Sequence, residues 1–143
     1  MSLQRRLVGD SRTATVQTVA VAVSGFLVLF LAQIDPVAAV LDSLGGGVGI
    51  GNLIVVVPAV VLVLAGYHAS RHDGLLVCVA VAHFVSLAWV IPMLVWGTPG
   101  FETDPGRLLG VYVSWSLLVG SVGYVLGRLV AVAVDGPFAV GSG

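Results

Sequence analysis

Three histidines, one cysteine and seven carboxylates are the side chains in this sequence that could act as ligands, bases or nucleophiles. His83 is the most suggestive. It lies nine residues into an apolar run, about 13 Å deep at the helical rise of 1.5 Å per residue. Ionisable groups at that depth in a membrane are costly and count as functional candidates by default. Its bland role is a neutral imidazole bonded to a serine or a backbone carbonyl, which sets helix register. Ser86 on its own helix, or Ser114, Ser116 or Ser121 on the next, could face it. Its sharper roles are a step in an ion pathway or a contact to haem or quinone, so His83 is the one cofactor-binding candidate.

His68 and His72 are four residues apart, with Asp73 adjacent. On a continuing helix both imidazoles share a face at ligand spacing, which makes them metal candidates. Arg71 beside them repels a cation, and histidines near a helix C-terminus also favour its dipole. Capping is therefore the expected role. A haem held between His68 and His83 is disfavoured, because their depths differ by roughly 10 Å at the same rise. Cys78 is five residues from His83, off its helical face, and reads as a small apolar filler. The acids Asp35, Asp42, Glu102 and Asp104 flank apolar runs and never enter one. A carboxylate-driven transporter or glycosidase wants acids that are paired and desolvated. No catalytic residues are assigned, and the chain is read as a non-enzyme with no cofactor. The glycine run at 45–51 misses both the dinucleotide and the P-loop spacing, and no lysine follows it, so it reads as a linker.

The elements that carry these residues follow from composition. The chain has 143 residues, 58% hydrophobic and 9% charged, with a mean hydropathy of +1.10. Soluble domains carry about 25% charged residues, so thirteen charges cannot cover a water-facing surface. Soluble enzymes, nucleic-acid binders and disordered chains are excluded at this step. The bilayer is the solvent. The formal net charge of −1 supplies no field for nucleic acid. Six arginines with no lysine, and a bias to Val, Ala and Gly, fit a GC-rich, salt-loving prokaryotic source.

A spanning helix needs about 20 apolar residues, and four such runs fit, at about 14–34, 52–69, 75–96 and 108–126. The first is too long for a signal-peptide core. Asp35-Pro36 stops it and starts a short amphipathic segment at 36–44, suited to the interface. Pro58 and Pro92 fall inside the second and third runs and should kink them. Residues 135–143 read as a mobile tail. The fold expected is one all-α domain: an integral membrane bundle of four transmembrane helices with a short interfacial helix after the first span.

Orientation follows from arginine placement. With the N-terminus inside, Arg5, Arg6, Arg12, Arg71 and Arg128 are cytoplasmic and Arg107 alone is outside. Both termini are thus expected in the cytoplasm of a cell-membrane protein. Trp89, Trp96 and Tyr112 would mark the outer interface, and Tyr67 and Tyr124 the inner one.

The fourth run carries Ser116, Gly120, Gly123 and Gly127 on one face. Close backbone approach drives helix association in lipid, so this stripe is a packing face, inside the monomer or between copies. Ala20 and Ser24 of the first run offer a counterpart. The expected function is non-enzymatic: packing and assembly, as a homo-oligomer or as a subunit beside other membrane proteins. The rival readings are a small transporter or channel with kinked helices and a polar core at His83, and a haem- or quinone-binding redox subunit.

Overall fold

A computed structural model describes residues 7, 9, 11–43, 50–97 and 104–134. The tail at 135–143 and the glycine run at 45–49 lie outside the described residues. The described elements are helices: α1 (Arg12–Leu31), α2 (Asp35–Ser43), α3 (Ile50–His72), α4 (Leu75–Trp96) and α5 (Pro105–Val134), with no strand among the described residues. All but α2 are long and apolar enough to cross a membrane.

Local chemistry sets each boundary. Ser11 caps α1: its side chain accepts from the Ala14 N–H at 3.2 Å, which satisfies one of the orphan donors of the first turn. α1 closes with tightened bonds, Gln33 N to Phe30 O and Ile34 N to Leu31 O. Pro36 then sits in the first turn of α2, where its missing N–H costs nothing. α3 and α4 are joined by a two-residue reversal with φ of 63° at Asp73 and 101° at Gly74. Asp tolerates the left-handed region better than most residues, and Gly enters it without strain. Gly97, with φ of 70°, stops α4. Asp104 starts α5, where its carbonyl accepts from Leu108 N and its carboxylate from Gly106 N.

The prolines do not end their helices: α3 runs through Pro58 and α4 through Pro92. α5 continues to Val134, eight residues past the expected 126. Nothing at Arg128 breaks a helix, and Leu129 to Val134 is apolar with no Gly or Pro.

α4 is the central helix, with 44% of its span buried against 11% for α1. It packs against α1, α3 and α5, while α1 meets α3 only sparingly. The main core joins Ala22, Val57, Val61, Val81, Val85 and Val119 from all four long helices. Nearer the α3–α4 turn a second, small-residue cluster of Ala65, Ala69 and Cys78 takes over.

Small residues let α5 seat there. A Cβ on Gly120 would lie 2.8 Å from Val79 Cα, and one on Gly123 would lie 2.8 Å from Ala65 Cβ. One on Gly127 would meet the Gly66 carbonyl oxygen directly. Ser116, Gly120, Gly123 and Gly127 are all buried, in the groove between α3 and α4. Their counterparts are Ala65, Gly66 and Ala69 on α3. Ala20 and Ser24 on α1 are not among them: both are exposed, and the Ser24 hydroxyl donates to the Ala20 carbonyl.

Candidate functional site

The polar side chains of the bundle gather at two levels. The first is beside the α3–α4 turn. α3 continues to His72, so His68 and His72 do share a face, with ring centroids 5.7 Å apart. His68 is fully buried. Its Nδ1 shares a 2.8 Å hydrogen bond with Thr18 Oγ1 of α1. His68 is thus a contact between helices. The face of α3 that carries Ala65 and Ala69 also carries His68, one turn from Ala65, and burial of that face takes the imidazole with it.

Asp73 is 5% exposed. Its Oδ1 accepts from Gly74 N at 3.2 Å and from Tyr124 Oη at 2.7 Å. Gly9 packs over this turn. A Cβ on Gly74 would lie 3.2 Å from Gly9 N and 3.3 Å from His68 Nε2, so glycine is needed there for space as well as for φ. The Cys78 thiol donates to the Ala65 carbonyl at 3.4 Å, which ties α4 to α3. Among the described residues no group of three or more His, Cys, Asp or Glu side chains is placed to hold a metal ion.

The second level is at His83. Its Nδ1 lies 3.2 Å from the Val79 carbonyl oxygen, one turn back. A carbonyl only accepts, so Nδ1 carries the proton in this arrangement. The Tyr112 ring meets the imidazole edge-on at 5.2 Å, and Tyr112 Oη donates to the His83 carbonyl at 3.0 Å. Tyr112 is buried against the bundle. Trp89 likewise packs on the main core. Trp96 and Tyr67 are exposed, and the Trp96 ring stacks on Phe30 at 6.0 Å. Among the described residues no serine side chain bonds His83: Ser114 is exposed, and the buried Ser116 hydroxyl makes no hydrogen bond.

The two levels are separate. Cys78 bonds Ala65, so His83 stands level with about residue 60 of α3. That is eight residues from His68, about 12 Å along the axis. The layer between them is Val61, Ala65, Val81 and Ala82, all buried and apolar. The two imidazoles cannot grip one planar group between α3 and α4.

Gln33 completes the set. Its Nε2 donates to the Leu29 carbonyl at 3.0 Å and to the Ala88 carbonyl at 2.6 Å. It holds the α2 end of α1 on α4, as Thr18 holds the other end on α3. Sequence reasoning singled out neither Thr18 nor Gln33. The available signal was polarity alone, two amide or hydroxyl groups inside an otherwise apolar run.

No family model matches the chain, and neither the curated proteins nor the solved structures show a match to it.

Proposed function

We propose that the chain is a multi-pass membrane protein that works through helix packing and assembly, without catalysis. Both termini lie in the cytoplasm, and α2 rests in the outer interface. One observation carries this reading: polar side chains on the long helices are engaged in ties between neighbours. Thr18 joins α1 to α3, and Gln33 joins α1 to α4. Cys78 joins α4 to α3, and Tyr112 joins α5 to α4. Tyr124 joins α5 to the turn. In lipid such bonds and close small-residue contacts hold helices together. A conduction path needs polar groups in succession, yet an apolar layer separates His68 from His83.

The orientation rests on charge. Arg12, Arg71 and Arg128 fall towards one end of the bundle with Arg5 and Arg6 in the preceding sequence, and Arg107 falls at the other. Cytoplasmic segments carry the excess of arginine. The amphipathic α2 begins with Asp35-Pro36 at the arginine-poor end.

Extraction of native membrane in mild detergent tests the assembly reading. The protein is expected as a homo-oligomer or with a stoichiometric membrane partner, without a Soret band. Liposomes that hold wild-type protein or His83→Leu should leak ions equally. Flux lost in His83→Leu, or a Soret band, would replace the assembly reading with a transport or redox one.

A further inference from the structure

The face of α5 turned away from the bundle carries a groove. Arg107, Gly110, Val111, Ser114, Trp115 and Leu118 line an open notch of about 510 Å³. These positions recur every three or four residues, so they form one face. The packed stripe at Ser116, Gly120, Gly123 and Gly127 lies on the other side of the helix. The notch exists because Gly110 has no side chain and Ser114, one turn on, has a short one. Nothing lies within 4 Å of where a Gly110 Cβ would be. Val111 and Leu118 are each 59% exposed, while Trp115 is half-buried and forms a wall.

From this groove we infer a phospholipid site, with the lipid phosphate on the Arg107 guanidinium and one acyl chain along Gly110 and Ser114. The inference rests on α5 crossing the membrane, and it does not depend on which side Arg107 faces. The dimensions fit. Arg107 to Leu118 covers eleven residues, about 16 Å of helix. That is about half of a ~30 Å hydrocarbon core, the depth of one leaflet. Polarity is graded in the same direction. Arg107 is in the first turn, where headgroups lie, and the floor of the groove is apolar apart from the Ser114 hydroxyl. A guanidinium binds phosphate oxygens through paired, charge-assisted hydrogen bonds. Arg107 is exposed and forms no ion pair among the described residues. The nearby Asp104 carboxylate accepts from Gly106 N at the helix start.

A second copy of the chain is the other candidate occupant, and charge disfavours it. A two-fold contact presents the same patch from both sides. Two Arg107 guanidinium groups would then meet at the mouth of the groove, and like charges brought together oppose association.

Native mass spectrometry in mild detergent tests the site. The probes are dioleoyl phosphatidylglycerol and dioleoylglycerol, which has the same chains without phosphate. Arg107→Gln should weaken phosphatidylglycerol retention about tenfold, as loss of a charge-assisted contact implies, and leave dioleoylglycerol unchanged. Gly110→Leu fills the notch and should weaken both lipids at least as much. Its melting curve and its resistance to carbonate extraction should match the wild type, since the added side chain meets open space. Three results would overturn the site: wild-type phosphatidylglycerol retention in either variant, an equal loss of both lipids in Arg107→Gln, or loss of a dimer in Gly110→Leu with lipid retained. Extraction of the wild-type protein by carbonate would instead defeat the membrane-spanning reading itself.

Discussion

Tyr124 Oη lies 2.7 Å from Asp73 Oδ1, and this bond fixes the longest helix to the turn between α3 and α4. Asp73 is nearly buried and in a left-handed conformation with φ of 63°. The phenol and the Gly74 N–H both donate to its Oδ1. Tyr124→Phe removes one hydroxyl and keeps the ring. A hydrogen bond to a charged group contributes about 1.5–3 kcal/mol, so unfolding in detergent should show a loss of that order. Asp73→Asn keeps an acceptor and the tolerance for positive φ, and should cost less. A double-mutant cycle of Tyr124→Phe with Asp73→Gly, which removes the acceptor and keeps the tolerance for positive φ, should give a coupling clearly different from zero. Additive losses would mean that the bond does not hold the turn.

The buried glycines of α5 make a sharper contrast. Gly127→Leu drives a side chain into the Gly66 carbonyl and towards Ala69 Cβ. Overpacking of this kind costs roughly 1–3 kcal/mol. Gly25→Leu on α1 is the proper control, because nothing lies within 4 Å of that position and leucine gains about 0.8 kcal/mol or less in helix propensity over glycine. Gly97 is a poor control, since its φ of 70° strains any side chain. Melting should fall in Gly127→Leu and hold or rise in Gly25→Leu. Cross-linked species should be the same in both, since the α5 stripe contacts α3 and α4 of its own chain. A Gly127→Leu variant that keeps wild-type stability and loses a cross-linked dimer would move the stripe to an oligomer face.

α1 is the least buried of the long helices, and two polar ties hold its ends. Thr18 Oγ1 meets His68 Nδ1, and Gln33 Nε2 meets the Ala88 carbonyl. Thr18→Val with Gln33→Leu removes both and keeps the apolar contacts of Ala22 and Leu29. Interhelical hydrogen bonds in membranes average about 0.6 kcal/mol and reach about 1.7, so the pair should cost roughly 1–3 kcal/mol. Amide exchange should speed up in α1 ahead of α4. Uniform acceleration across all helices would show that α1 is not a separable unit.

The four long helices were legible because apolar length and Pro or Gly punctuation are local signals. The stops at Asp35-Pro36 and Gly97 needed no tertiary knowledge, whereas α3 continues to His72, past the run expected to close at about 69. The role of His68 was not legible. Its meaning depends on which face of α3 meets α1, and hydropathy barely distinguishes faces when every face is apolar. The same ambiguity hid the contact of Tyr112 with His83. The stripe on α5 could be read from spacing. Its partner is a second run of small residues, Ala65, Gly66 and Ala69 on α3. α5 runs past the apolar run to Val134, because Arg128 marks a charge and does not break a helix.

The side of the membrane on which each end lies is the last prediction, and it follows from the arginines alone. Positive charge in short loops sets orientation, and Arg12, Arg71 and Arg128 fall towards one end while Arg107 stands at the other. The native Cys78 is buried and bonded to the Ala65 carbonyl, and Cys78→Ala gives a silent background. Single cysteines are then placed at exposed positions, as Ser43→Cys and Asp104→Cys at one end and Arg71→Cys at the other. An impermeant maleimide added to intact cells should label the first two, and Arg71→Cys should label only after the cells are broken. Arg71→Cys also removes one of the orienting charges, so Tyr67→Cys, exposed one turn earlier on α3, checks the same side with the charge retained. Labelling of Tyr67→Cys from outside, with Ser43→Cys and Asp104→Cys protected, would invert the topology.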